Sequence, residues 1–330
     1  MSDGTRGKTA ATEQPSPFPL PQGYEEVICS LCEGDYHFGV AALVNSVVRR
    51  GFCGLFWIGI RGALPLWTAD LRRRQDGLFE VGDALLGFES LKTDRHLGQY
   101  KSTFLSIIVD RRIASKYLWY FDPDVTLRCS WSFIQQWVTH GVSLCEDSNF
   151  GVMPPRHPLR CAWVNLARAA GWGEPLILPD RYYNSGFVGM GIANRAFAAR
   201  WMDAVQLAQS SGVTPDQFQK GNRERVFFTV DQDTMNIAVM YADVPFSTMG
   251  PDAMGFLPGG FTMLHGVSKP KSWRKKFLRS ALSGVPPGHS DKQFVANLDG
   301  PIFPYSKARL YRMRLSTNIA ALIGRFYRRG

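Results

Sequence analysis

No stretch of this 330-residue chain stays apolar long enough to cross a bilayer. The longest strictly apolar run, Gly51–Ile60, is closed by Arg50 and Arg61, whereas a spanning helix needs about 20 such residues. Cysteine is scarce too. The six residues, at 29, 32, 53, 129, 145 and 161, are too few and too irregular for a disulfide scaffold. Cys29 and Cys32 form a CxxC, but a zinc site takes four ligands at paired spacings and no second pair exists. Both are expected to be structural, and a reducing cytoplasm is the simplest compartment. No Gly-rich phosphate loop and no GxGxxG follows the first apolar strand, which argues against an ATPase or a dehydrogenase. Met1–Gln22 has no apolar core and carries Pro15, Pro17, Pro19 and Pro21. It reads as a disordered tail rather than a signal peptide or an anchor.

Acidic residues are nearly missing from the last fifth of the chain. Residues 268–330 hold 14 Lys and Arg against two Asp, a net +12. The whole chain carries +10, so residues 1–267 sum to −2. A uniformly basic nucleic-acid binder is therefore disfavoured, and a basic C-terminal region facing anionic lipid or polyanion is favoured. Apolar residues make up 45% and charged residues 20%, which supplies a globular core and excludes wholesale disorder. The length suits two domains, or one large α/β domain with extensions.

Apolar patterning predicts a βαβ start. Glu26–Leu31 is a short strand, followed by the acidic turn Glu33-Gly34-Asp35-Tyr36. A helix then repeats apolar residues at 40, 43, 44, 47 and 48, and Leu55–Ile58 is a second strand. Such a unit implies a largely parallel, buried sheet. Gln99–Val109 reads as a helix and Tyr117–Phe121 as a buried strand ending in Asp122-Pro123-Asp124. Ser130–Val138 looks helical, Tyr183–Met190 a strand, Asn194–Gln209 a helix and Asp233–Met240 a buried helix, with Gly259–Leu264 leading into His265. The Pro- and Trp-rich stretch 150–181 has no clear period, and no sheet pattern follows Ser268. Near the end, Tyr311, Leu315, Ile319, Leu322, Ile323 and Phe326 share one helical stripe. Arg314, Arg325, Arg328 and Arg329 lie beside it. This basic amphipathic helix suits either an anionic membrane surface or docking on the core.

Four elements bear chemistry. Asp122 and Asp124, two apart at the end of a strand, can hold Mg²⁺ or Mn²⁺ where α/β sheets place their ligands. His265 beside them would favour Mn²⁺. Asp231-Gln232-Asp233, with Asn236, opens a helix in which Asp231 suits a cap; that leaves Gln232 and Asn236 unexplained. Asn184-Ser185-Gly186 alone is a turn signal.

In this order the elements resemble the retaining glycosyltransferases of the GT-A fold in glycosyltransferase family 8, the group of glycogenin and bacterial lipopolysaccharide galactosyl- and glucosyltransferases. The matching pieces are Cys29–Tyr36, Tyr120–Asp124, Tyr183–Gly186, Asp231–Asn236 and Leu264-His265, spanning residues 27–273. The resemblance implies a GT-A domain over 23–273, with a mixed, mostly parallel sheet flanked by helices, and a basic helical extension over 274–330. It implies Mn²⁺ (Mg²⁺ as the alternative) on Asp122, Asp124 and His265, bridging the diphosphate of a UDP-sugar. Tyr36 would lie against the base, Lys101 would contact the donor, Asn184 and Asp231 would hold sugar hydroxyls, and Gln232 would sit near the anomeric carbon. The family's closing motif places Gly three, Lys six and Pro-Trp seven and eight residues after its His. Here Lys271 and Trp273 match while Ser268 and Ser272 depart, so either Lys269 or Lys271 would reach the phosphate.

The expected activity is transfer of a sugar from a UDP-sugar to a glycan or glycolipid at the cytoplasmic membrane face, as in polysaccharide or lipopolysaccharide assembly. The acceptor would be chosen by loops in 60–98 and 150–181. The alternative is a GT-A domain that binds sugar nucleotides or glycans without catalysis in a membrane-associated assembly. Nucleic-acid binding through 268–330 ranks last, because it leaves the motifs of 1–267 unexplained.

Overall fold

The computed structural model describes residues 21–150, 152–218 and 225–327. The expected N-terminal tail falls outside the described residues except for Pro21 and Gln22, and Arg328 and Arg329 lie outside as well.

The chain opens with β1 (Tyr24–Glu33), α1 (His37–Val48), β2 (Leu55–Arg61), β3 (Phe79–Val81) and β4 (Ala84–Ser90). Next come α2 (Leu97–Asp110), β5 (Ala114–Phe121), β6 (Val125–Leu127), α3 (Trp131–Val138) and β7 (Val142–Glu146). After these follow α4 (Pro158–Ala169), β8 (Tyr183–Gly191), α5 (Ala196–Ser210), α6 (Val230–Tyr241), β9 (Phe246–Met249) and β10 (Met263–His265). The basic region forms α7 (Phe277–Leu282), α8 (His289–Ala296) and α9 (Lys307–Ile323). Among the described residues, no helix is long and apolar enough to cross a membrane.

Eight strands form one mixed sheet in the order β3-β4-β2-β1-β5-β8-β7-β9. Strand β1 lies between β2 and β5, parallel to both, which is why its apolar residues run without interruption. Strands β3 and β8 alone oppose the rest, so β1, β2, β5 and β7 all end at the same edge. That edge carries the ligand in open α/β sheets. Cys29 and Cys32 are three apart on β1 and so face opposite sides of the sheet, each buried in a different apolar layer as a free thiol. One layer is covered by α1 and α3, the other by α2, α5 and α6.

The unassigned stretch 150–181 contains α4. His157 caps it by accepting from the Leu159 amide, and Pro158 takes the first turn, where a missing N–H costs nothing. The short ribbon of β10 on β6 is separate, and its register sets His265 opposite Val125. The helices α7, α8 and α9 pack together around Trp273, Phe277, Phe294 and Leu298, and lean on α1 at Ala42. Asn45 of α1 is fully buried. It donates to the carbonyls of Asn297 and Ile302 and accepts from the Ile302 amide, each at 2.8 Å.

Candidate functional site

A cleft of about 540 Å³ opens at the shared edge. It is lined by Tyr36, Lys101, Asp122, Asp124, Asn184, Asp231, Gln232, His265, Lys269 and Lys271. Residues separated by more than two hundred positions, every one singled out in the sequence, thus converge on one cavity.

The acidic centre stands at the end of β5. Asp122 and Asp124 leave the strand in a tight turn, with the Val125 amide on the Asp122 carbonyl at 3.0 Å. The ribbon then returns His265 over them, Nε2 lying 3.2 Å from Asp124 and 3.7 Å from Asp122. One ligand atom from each of the three lies within 4.8 Å of the others, so the group can hold a divalent metal ion. The donor set of two carboxylates and an imidazole suits such an ion, and the buried His265 Nδ1 has no hydrogen-bond partner among the described residues. Two glycines make the approach close. A Cβ on Gly186 would stand 2.4 Å from the His265 ring, and one on Gly39 would stand 2.3 Å from the Pro123 carbonyl oxygen.

Cations already balance these acids. Lys101 is buried, with its ammonium 2.9 Å from Asp122 and 2.8 Å from Asp231, and it donates to the Ser185 carbonyl at 3.2 Å. Burial alone would lower its pKa; the two carboxylates outweigh that and hold it above the usual lysine value. The Tyr120 hydroxyl donates to Asp122 at 2.8 Å. Lys271 contacts Asp124 and donates to the Gly266 carbonyl at 3.0 Å. Burial opposes ionisation of Asp124, yet His265 and Lys271 keep its carboxyl well below the ordinary range. Lys269 lines the same cleft but is exposed.

The second wall comes from β8 and α6. Pairing of β8 with β7 slips between Leu144 and Cys145, an irregularity that leaves Ser185, Gly186 and Phe187 outside that ladder. The Asn184 carboxamide there donates to Gln232 at 3.0 Å and to Asp147, while its oxygen accepts from Gly186 N at 2.8 Å. Helix α6 is buried along its whole length, so each polar side chain on it needs a partner. Asn236 accepts from Tyr183 N and donates to Tyr183 O, tying the helix to β8 and placing Gln232 one turn earlier against Asn184. The sequence left Asn236 unexplained, and this is its role.

Asp231 is not the cap the sequence suggested. Thr229 takes the N-cap position, and Asp233 reaches back to accept from the amides of Phe228 and Thr229 at 2.7 and 2.9 Å. Asp231 is freed for Lys101 and for Ser185, whose hydroxyl donates to it at 2.8 Å. Burial raises its pKa but the Lys101 charge prevails, so it stays ionised below the usual range. Burial pushes Asp233 up to about 7, against the Tyr182 hydroxyl and the two amides. One buried acceptor on the wall, Asp231 Oδ1, has no hydrogen bond among the described residues, while the Gln232 carboxamide lies against both Asn184 and the Tyr182 hydroxyl.

Tyr36, the last residue of the 3₁₀ turn after β1, borders the cleft and packs edge-on against Trp273, ring centres 5.1 Å apart. Arg274 pairs with Asp35, lowering that carboxyl's pKa, and so fastens the start of the basic region to the same turn. Sequence reasoning missed Asp147, which is buried, lines the cleft and follows β7 directly. Its signal was present: an acid straight after an apolar strand, as with Asp122. His96 and Phe218, stacked at 4.5 Å, also line the opening.

Compared with known proteins, the chain matches no family model and no curated sequence.

Proposed function

We propose that this chain is a metal-dependent glycosyltransferase of the GT-A type that moves a sugar from a UDP-sugar to a glycan or glycolipid acceptor, with retention at the anomeric carbon. The carrying observation is the meeting, in one cleft, of the Asp122–Asp124–His265 group with a polar wall of Asn184, Asp231 and Gln232. Sugar hydroxyls, which both donate and accept, suit these carboxylate and carboxamide groups.

The donor set fits Mn²⁺, with Mg²⁺ as the alternative. Bound by Asp122, Asp124 and His265, such an ion would neutralise charge on a departing diphosphate. Lys271 and Lys269 bring cationic ends to the same region and would take up that charge. Tyr36 offers a ring edge-packed on Trp273 for the base. Lys101 stays with its two carboxylates and fixes their directions. The Gln232 oxygen accepts from the Asn184 amide, and a carboxamide is a hydrogen-bonding group rather than a nucleophile. This favours a front-face route in which the leaving phosphate takes the acceptor's proton.

Calorimetric titration of UDP with Mn²⁺, then with EDTA, against GDP and ADP, tests the reading. Binding seen only with UDP and Mn²⁺, followed by turnover of a UDP-sugar that Asp122→Asn/Asp124→Asn abolishes, is expected. No binding of any nucleotide sinks it; binding with neither transfer nor donor hydrolysis would make the domain a non-catalytic sugar-nucleotide binder.

A further inference from the structure

Helix α9 divides its apolar residues between two faces. Leu310, Met313, Ala320 and Ile323 turn inward, onto the cluster of Phe277, Phe294 and Leu298. Tyr311, Leu315, Ile319 and Leu322 turn outward, with Tyr311 at 68% and Leu322 at 52% exposure. Their spacing of four, four and three keeps them inside a stripe about 80° wide. Phe326, in the turn after the helix, adds an 83% exposed ring. The end of α7 continues the patch. Leu282 and Val285 are 71% and 63% exposed, and Tyr327 donates to the Leu282 carbonyl at 3.2 Å. The outward stripe is therefore not what docks α9, because the opposite side does that.

Charge decides what would cover it. Lys307 and Arg325 border one side of the stripe and Arg312 the other, all exposed. Residues 300–330 contain no acid, and the two acids of 268–330 are taken internally. Asp291 binds Ser272 and Lys275, and Asp299 binds Arg49 and Arg314. The cations around the patch thus lack intramolecular neutralisation by their own region. A second copy would bring the same net +12 against itself. We infer that the outer face of α9, continued by Leu282 and Val285, is a docking surface for an anionic lipid bilayer, apolar side chains entering the acyl boundary and Lys and Arg meeting the headgroups. The inference is independent of sugar transfer.

The test is sedimentation of the full chain, without nucleotide, with vesicles of phosphatidylcholine alone or with about 30 mol % phosphatidylglycerol. Binding to the anionic vesicles, weakened by salt, is expected. Leu315→Ser/Leu322→Ser/Phe326→Ser should lower partitioning by about tenfold per side chain while leaving the circular dichroism spectrum unchanged, since all three are exposed. Equal binding to both vesicle types, no binding at low salt, or an unaffected triple variant overturns the inference. So does lipid-free self-association that the same three substitutions abolish, which would assign the face to a second copy.

Discussion

Replacing Lys101 by Met keeps the unbranched side chain as far as Cε and removes the ammonium. The ammonium lies 2.8 Å from Asp231 and 2.9 Å from Asp122, and its side chain is only 5% exposed. At an effective dielectric of about 20 each contact is worth about 6 kcal/mol in Coulomb terms. Most of that is offset by desolvation, and breaking such a buried pair costs about 3–5 kcal/mol, because the acids are left uncompensated. For a chain of this size that is about 4–7 °C in Tm. The pH dependence gives the sign. In the parent, Asp231 is held below its ordinary pKa, so its ionised form stabilises the fold above that value and the contribution is lost as pH falls through the depressed one. Without Lys101, burial, the largest influence on Asp231, is countered only by the Ser185 hydroxyl and by His96, so the pKa rises and the variant loses stability as pH rises. The gap between the two proteins should be widest near pH 7, narrow toward about pH 4 and close only below it, where the parent's Asp231 also takes up its proton. Scanning calorimetry across that range measures it. A Tm within about 2 °C of the parent at pH 7, or a gap that does not change with pH, would refute the assignment of Lys101 as the balancing charge.

Two further outcomes are expected. Gly186→Ala places a methyl group 2.4 Å from the His265 ring and should cost about 1–3 kcal/mol while displacing the imidazole, read as weaker Mn²⁺ uptake by spin resonance in a protein that still folds. With Asp233 pushed up to about 7, the folded chain holds a proton between about pH 4 and pH 7 that the unfolded chain releases. Stability should therefore fall as pH rises across that window, by up to about 1.4 kcal/mol per unit, and Asp233→Asn should remove this contribution to the slope in a denaturant series.

What could be read from the sequence follows where burial is one-sided or continuous. The strands β1, β2, β5 and β8 announce themselves as apolar runs, and the acids behind β5 mark the edge that becomes the cleft. Periodicity fails where polar residues are buried. Helix α4 places Arg160 inside, fully covered and donating to the carbonyls of Met153 and Arg181, so its inward face does not look apolar. Helix α6 is enclosed on every side, and its acids read as a cap although Thr229 holds that position. The pairing of His265 with Asp122 depends on β6 and β10, three residues each and far apart in sequence, too short to show a period. For the terminal helix the stripe was legible except at Ile323, which turns inward with Leu310, Met313 and Ala320, the second apolar row that docks the helix on the core.

The buried carboxamide of Asn45 sets a condition on any shortened version of the chain. Its three bonds all run to residues 297 and 302, on the far side of Trp273 and Lys271. Cutting the polypeptide after His265 would leave one donor group and one acceptor stranded in an apolar helix face, uncover Ala42, and take away the ammonium that contacts Asp124. The minimal expressible unit that keeps the cleft intact therefore extends well past the last cleft residue, to at least Ile302. Keeping Phe277, Phe294 and Leu298 covered takes α9 as well, because its inner row of Leu310, Met313, Ala320 and Ile323 closes that cluster.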